Sequence, residues 1–95
     1  MNYDIRHDEQ SRKYTAHADG QEVGLLTYYP VGEGVIDFTH TYVPPEHRGQ
    51  GIAEQLVEHA LDETIERGLR FRASCWYVDA YVRRHTRYQQ AFAHA

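Results

Sequence analysis

Apolar and polar residues change rhythm along this chain. From Tyr3 to Val43 they alternate in short runs, and from Ile52 to Ile65 they recur at helical spacing. The alternation predicts strands over Tyr3–His7 and Ser11–Ala18 around an acidic turn, then over Glu22–Tyr29 and Val35–Val43. Asp19-Gly20 is a strong hairpin signal, and Gly32-Glu33-Gly34 marks the turn before the fourth strand. The helical stretch places Ile52, Ala53, Leu56, Val57, Ala60, Leu61 and Ile65 on one stripe. Glu54, Glu58, Asp62, Glu63 and Glu66 occupy its other face, Arg67 suits the C-terminal end of the dipole, and Gly68 fits a left-handed cap. Next, Leu69, Phe71, Ala73 and Cys75 alternate with Arg70, Arg72, Ser74 and Trp76, as in a half-buried strand. Tyr77–Arg87 is expected to form a short helix with Val78, Tyr81 and Val82 inward, and the tail beyond Tyr88 is expected to fray. Strand, helix and strand make a right-handed βαβ unit. The expected architecture is one α+β domain over residues 1–95. It has a mixed, mostly antiparallel sheet with a βαβ core, one main helix (about 50–67) and a short C-terminal helix.

Between the fourth strand and the main helix lies V-P-P-E-H-R-G-Q-G-I-A. Pro44 and Pro45 cannot donate to a ladder and end the strand. Gly49 and Gly51 permit backbone conformations closed to other residues and leave N–H groups bare at a helix N-terminus. Unpaired donors and the helix dipole both favour an anion there, and Arg48 adds a permanent positive charge. These features describe a phosphate cradle. It is not a P-loop, because Ile52-Ala53 stands where Lys-Ser/Thr is required. Nor is it a dinucleotide fingerprint, because Glu54 holds the place of the third small residue.

Arg48, Gly51 and Ala53 resemble the acetyl-CoA loop of GNAT-superfamily N-acetyltransferases, Arg/Gln-x-x-Gly-x-Gly/Ala. I-D-F-T-H-T-Y-V-P-P-E-H-R-G-Q-G-I-A, followed downstream by C-W-Y-V-D-A-Y-V-R-R-H, is similar to the very small, single-domain branch of that superfamily. The likeness covers about Gly20 to His85, although Ala73 stands where the small branch often has proline. It implies a single small GNAT-like domain in which Arg48, Gly49, Gln50, Gly51, Ile52 and Ala53 hold the CoA pyrophosphate. It also implies that the exposed backbone around Tyr42 and Val43 bonds pantetheine like an added strand, with Tyr77 nearby. Larger relatives carry two helices after the first strand that help wall the substrate site. This chain runs from strand to strand, so its acceptor site should be open, or completed by a homodimer or another protein partner.

Acyl transfer needs a base for the acceptor amine, donors for the oxyanion and an acid for the departing thiolate. His40, three residues before Val43, has a titration range suited to base work, whereas His47 in the turn reads as a surface residue or phosphate neighbour. A histidine on a half-buried strand also fits a plain structural bond. Cys75 has three open roles: acetyl carrier, partner of CoA in a mixed disulfide, or pocket lining. Its apolar strand face favours lining. Of Tyr77 and Tyr81, Tyr81 is the choice for the thiolate's acid, although a tyrosine at that spacing also suits a core.

Composition narrows the classes. The net charge of −4 argues against a general nucleic-acid binder, even with Arg83, Arg84 and Arg87 together. A polar N-terminus without a signal peptide, no membrane-spanning run and a single cysteine lead to an expectation of a cytoplasmic protein. No His/Cys/Asp set has metal-ligand spacing, so no metal is expected. Three readings compete: an acetyl-CoA-dependent N-acetyltransferase acting on an unidentified amine, of a small molecule or a protein; a non-catalytic acyl-CoA sensor; and a small interaction domain with a purely structural glycine turn.

Overall fold

The computed structural model describes residues 2–93. Strands β1 (Asp4–Asp8), β2 (Lys13–Ala18), β3 (Gln21–Gly32) and β4 (Val35–Tyr42) pair antiparallel in chain order. Helix α1 (Ile52–Glu66) then crosses over to β5 (Arg70–Ala73), which pairs with β4 in parallel. Helix α2 (Trp76–Arg84) and a 3-10 turn, Thr86–Ala91, complete the described chain. This is the mixed, mostly antiparallel α+β fold with a βαβ core that the residue pattern predicts.

Turn chemistry sets the joints. Asp19 and Gly20 both adopt positive φ, 53° and 77°, as a tight twisted hairpin requires. At the end of α1, Gly68 donates to Ile65 O at 2.9 Å and Leu69 to Thr64 O at 3.1 Å, the paired bonds of a left-handed glycine cap. One face of the sheet meets both helices. Tyr14, Ala16, Leu26 and Phe38 pack there with Leu56, Val57, Ala60 and Leu61 of α1 and Val78 and Val82 of α2. Gly24 lets α1 approach closely, since a Cβ at that position would lie 2.8 Å from Ile52 Cγ2.

Several boundaries differ from the sequence pattern, each for a local reason. β2 starts at Lys13 rather than Ser11 because Ser11 N–H bonds the Asp8 carboxylate at 3.1 Å and Arg12 turns to positive φ. β4 ends at Tyr42, one residue before Val43. β5 ends at Ala73, so Cys75 is not a strand residue but the N-cap of α2. Glu63 leaves the solvated face: it accepts a 2.8 Å bond from the Tyr14 hydroxyl and pairs with His7. Burial and that carboxylate raise the Tyr14 hydroxyl above its ordinary range.

The tail does not fray over its described length. Tyr88 is fully buried and Phe92 is 7% exposed. Ala93 N–H bonds Phe71 O at 2.7 Å, and the Phe92 and Phe71 rings stack with centroids 5.4 Å apart. The tail thereby covers the outer edge of β5. If so, Phe92→Ala should destabilise the fold by about 3 kcal/mol, measured by urea unfolding. A frayed tail would give a change near zero.

Candidate active site where two strands part

The parallel ladder between β4 and β5 is short. It runs from Val35↔Arg70 to Phe38↔Ala73 and stops, while β4 continues to Tyr42 alongside β3. Past Phe38, the β5-facing edge of β4 has no strand partner among the described residues. One further bond, Cys75 N–H to Phe38 O at 3.0 Å, closes the vertex. The result is a gap whose one side is free backbone of β4 and whose other side is the start of α2.

A bulge decides which side chains line each mouth of the gap. Thr27 pairs with His40 and Tyr28 with Phe38, so Thr39 is an extra residue on β4. Thr39 and His40 consequently share the face away from α1, where Thr39 Oγ1 bonds Thr27 Oγ1 at 2.8 Å. Thr41 returns to the core face opposite Leu26, and its Oγ1 lies 3.5 Å from Cys75 Sγ. His40 is exposed and Cys75 buried, on opposite faces of the sheet. Simple alternation from Phe38 would have put His40 on the core face; the bulge left no residue-type signal in the chain.

The cradle lies where β4 gives way to α1. After a 3-10 turn at Pro45–His47, Gly49 and Gly51 adopt φ of 81° and 78°. The first amide of α1 to find a helical acceptor is Gln55, on Gly51 O at 3.1 Å. Among the described residues, the N–H groups of Gly49 to Glu54 therefore have no backbone acceptor. All of these residues except Gln50 line a cavity of about 230 Å³, together with Val43, His47, Arg48 and Tyr77. Arg48 Nε braces the loop through Val43 O at 2.9 Å. Gln50 accepts the Tyr3 hydroxyl at 2.8 Å, and Gln55 the Tyr3 amide at 3.1 Å, so the N-terminal segment buttresses the loop. Nothing in the isolated residue types had pointed to Tyr3. Bare donors, a guanidinium and open space above the glycines fit a pyrophosphate.

The two tyrosines separate. Tyr77 lines this cavity, and burial with the nearby Glu54 carboxylate raises its hydroxyl above the usual range. Tyr81 does not line it: its ring stacks on His85 at 3.9 Å and lies 6.0 Å from that of Tyr88. Burial, then Glu58, raises its hydroxyl too. The structure thus gathers Val43, Arg48, Gly49, Gly51, Ile52, Ala53 and Tyr77 around one cavity, leaves Gln50 outside its lining and bonded to Tyr3, brings Cys75 to the vertex beside Thr41, and keeps Tyr81 in the core. Tyr42, at the free end of β4, is 44% exposed.

Residues 13–91 match the family model of the GCN5-related N-acetyl-transferases. The chain belongs to this family. Chicken (Gallus gallus) Protein NATD1 is 38% identical over 80 residues, covering 83% of this chain and 73% of that protein. The fold is shared with a GCN5-like protein of Staphylococcus aureus solved by NMR, at 24% identity and a TM-score of 0.75, over 97% of this chain and 89% of that one. It is also shared with the PaiA N-acetyltransferase of Thermoplasma acidophilum, whose structure is a complex with coenzyme A. That likeness has 19% identity and a TM-score of 0.55, over 60% of this chain and 35% of that one.

The glycine backbone gives a direct test of the cradle. Gly51→Val forces a β-branched residue into positive φ and sets a side chain over the bare amides. Its affinity for acetyl-CoA should fall about tenfold or more, measured by calorimetry on protein checked for folding by circular dichroism. A folded variant with undiminished affinity would contradict the cradle.

Proposed function

We propose that this chain is an acetyl-CoA-dependent N-acetyltransferase whose acyl donor lies in the gap between β4 and β5. The observation that supports the reading most is the coincidence of that gap with bare amides at its α1 end. The pyrophosphate takes the amides of Gly49–Ala53 with Arg48 beside them, while pantetheine takes the free edge of β4 near Tyr42 and Val43. The thioester then reaches the vertex near Thr41 and Cys75, and the acceptor amine approaches from the open face that carries His40.

His40 removes the ammonium or amine proton on that face. Tyr77, on the donor's side, supplies the proton for the departing thiolate in place of Tyr81, whose ring is committed to His85. Cys75 lines the pocket rather than carrying acetyl. Its thiol meets Thr41, and among the described residues no contact joins it to His40, on the opposite face, so the base that would activate it is missing. The openness of the His40 face also suits a module that binds acyl-CoA without transferring it; a second copy or another protein over that face would complete an acceptor site.

Turnover separates these readings. With an amine acceptor in excess, His40→Ala should lower kcat about a hundredfold and leave acetyl-CoA affinity nearly unchanged. Parallel loss of binding and turnover would make His40 a structural residue. Wild-type protein that binds acetyl-CoA but transfers to no amine would favour the sensor.

A further inference from the structure

The vertex of the gap is held by a buried carboxylate that the proposed chemistry does not use. Asp37 is 8% exposed, and both of its oxygens are taken by one residue across the gap. Oδ1 accepts Ser74 N–H at 2.8 Å, and Oδ2 accepts the Ser74 hydroxyl. The next residue on each side repeats the link, Cys75 N–H to Phe38 O at 3.0 Å. Residues 37 and 38 thus bracket residues 74 and 75 through three bonds, immediately after the strand ladder ends at Phe38↔Ala73.

The bracket aims whatever follows it. The first bond inside α2 is Asp79 N–H to Cys75 O at 3.0 Å, so the N–H groups of Trp76, Tyr77 and Val78 have no helical acceptor. These donors, the Cys75 thiol and the Tyr77 ring all hang from the turn that Asp37 grips. Burying a carboxylate is costly unless its lone pairs are filled, and here each oxygen has a donor. We infer that Asp37 is a positioning residue: through Ser74 it orients Cys75 and the N-terminal turn of α2 toward the thioester end of the acyl donor. This rests on the acetyl-donor reading above for what is being aimed at, but not for the bracket itself.

The test compares Asp37→Ala with Asp37→Asn, whose carbonyl still accepts from Ser74 N–H and whose amide donates to Ser74 Oγ. Misplacement of the order of an ångström at a reacting centre costs up to about a hundredfold. Asp37→Ala should therefore lower kcat roughly tenfold or more, with KM for acetyl-CoA held within about threefold. Without acetyl-CoA, iodoacetamide should alkylate Cys75 about tenfold faster as the loosened turn exposes a thiol now 7% exposed. Asp37→Asn should restore both readouts to near wild type. A folded Asp37→Ala protein with wild-type alkylation overturns the inference, as does Asp37→Asn behaving like Asp37→Ala. If Asp37→Ala does not fold, Ser74→Ala removes only the hydroxyl bond and should shift alkylation in the same direction; an unchanged rate overturns the inference. Because alkylation needs no acyl donor, a protein that never transfers acetyl would sink the transferase reading while the thiol still decides the bracket.

Discussion

Two parallel strands that part after Phe38 and Ala73 govern the rest of the molecule. A strand inside a sheet bonds a neighbour on both edges, and here β5 stops while β4 runs on. The open edge is left to water or a ligand, and it ends beside amides that, among the described residues, have no backbone acceptor of their own. Both deficits face the same gap. A ligand with an amide-bearing arm and a pyrophosphate would answer both at once, which is the ground for proposing acetyl-CoA as the donor.

The parting also sorts chemistry by face. The bulge at Thr39 turns His40 outward and Thr41 inward, so the titratable group and the thiol sit on opposite sides of the sheet. The helix side holds the closed core and the cavity bordered by Tyr77, whereas the His40 side has no helix against it among the described residues. A donor entering along α1 and an acceptor arriving over His40 would meet only at the vertex. In the proposed transferase, that separation would give transfer direction without large walls and leave acceptor choice to a small exposed surface or to a partner that covers it.

Much of this was legible in the chain. A proline pair, two glycines and an apolar stripe at helical spacing are strong local signals, so the glycine turn, α1 and the Asp19-Gly20 hairpin stand where the residues imply. Contacts that depend on long separations were hidden. Thr86 to Gln90 is a polar run without periodicity, yet Tyr88 and Phe92 are buried because the tail returns to β5. Glu63 sits among acidic neighbours in the sequence but faces His7 and Tyr14 in space. Tyr81, the choice for the thiolate's acid although its spacing also suits a core, is buried with its ring against His85 and near Tyr88, neighbours that the spacing alone does not name. Asp37 read as an ordinary strand residue, since its partner lies 37 positions away.

Amide chemical-shift mapping by NMR during an acetyl-CoA titration tests the central claim most directly. Binding in the gap predicts the largest changes at Gly49, Gly51, Ile52 and Ala53, with further changes at Val43 and Cys75 and little at Asp4–Asp8 on the far edge of the sheet. Acetyl-CoA that binds while leaving the Gly49–Ala53 amides unmoved would contradict it.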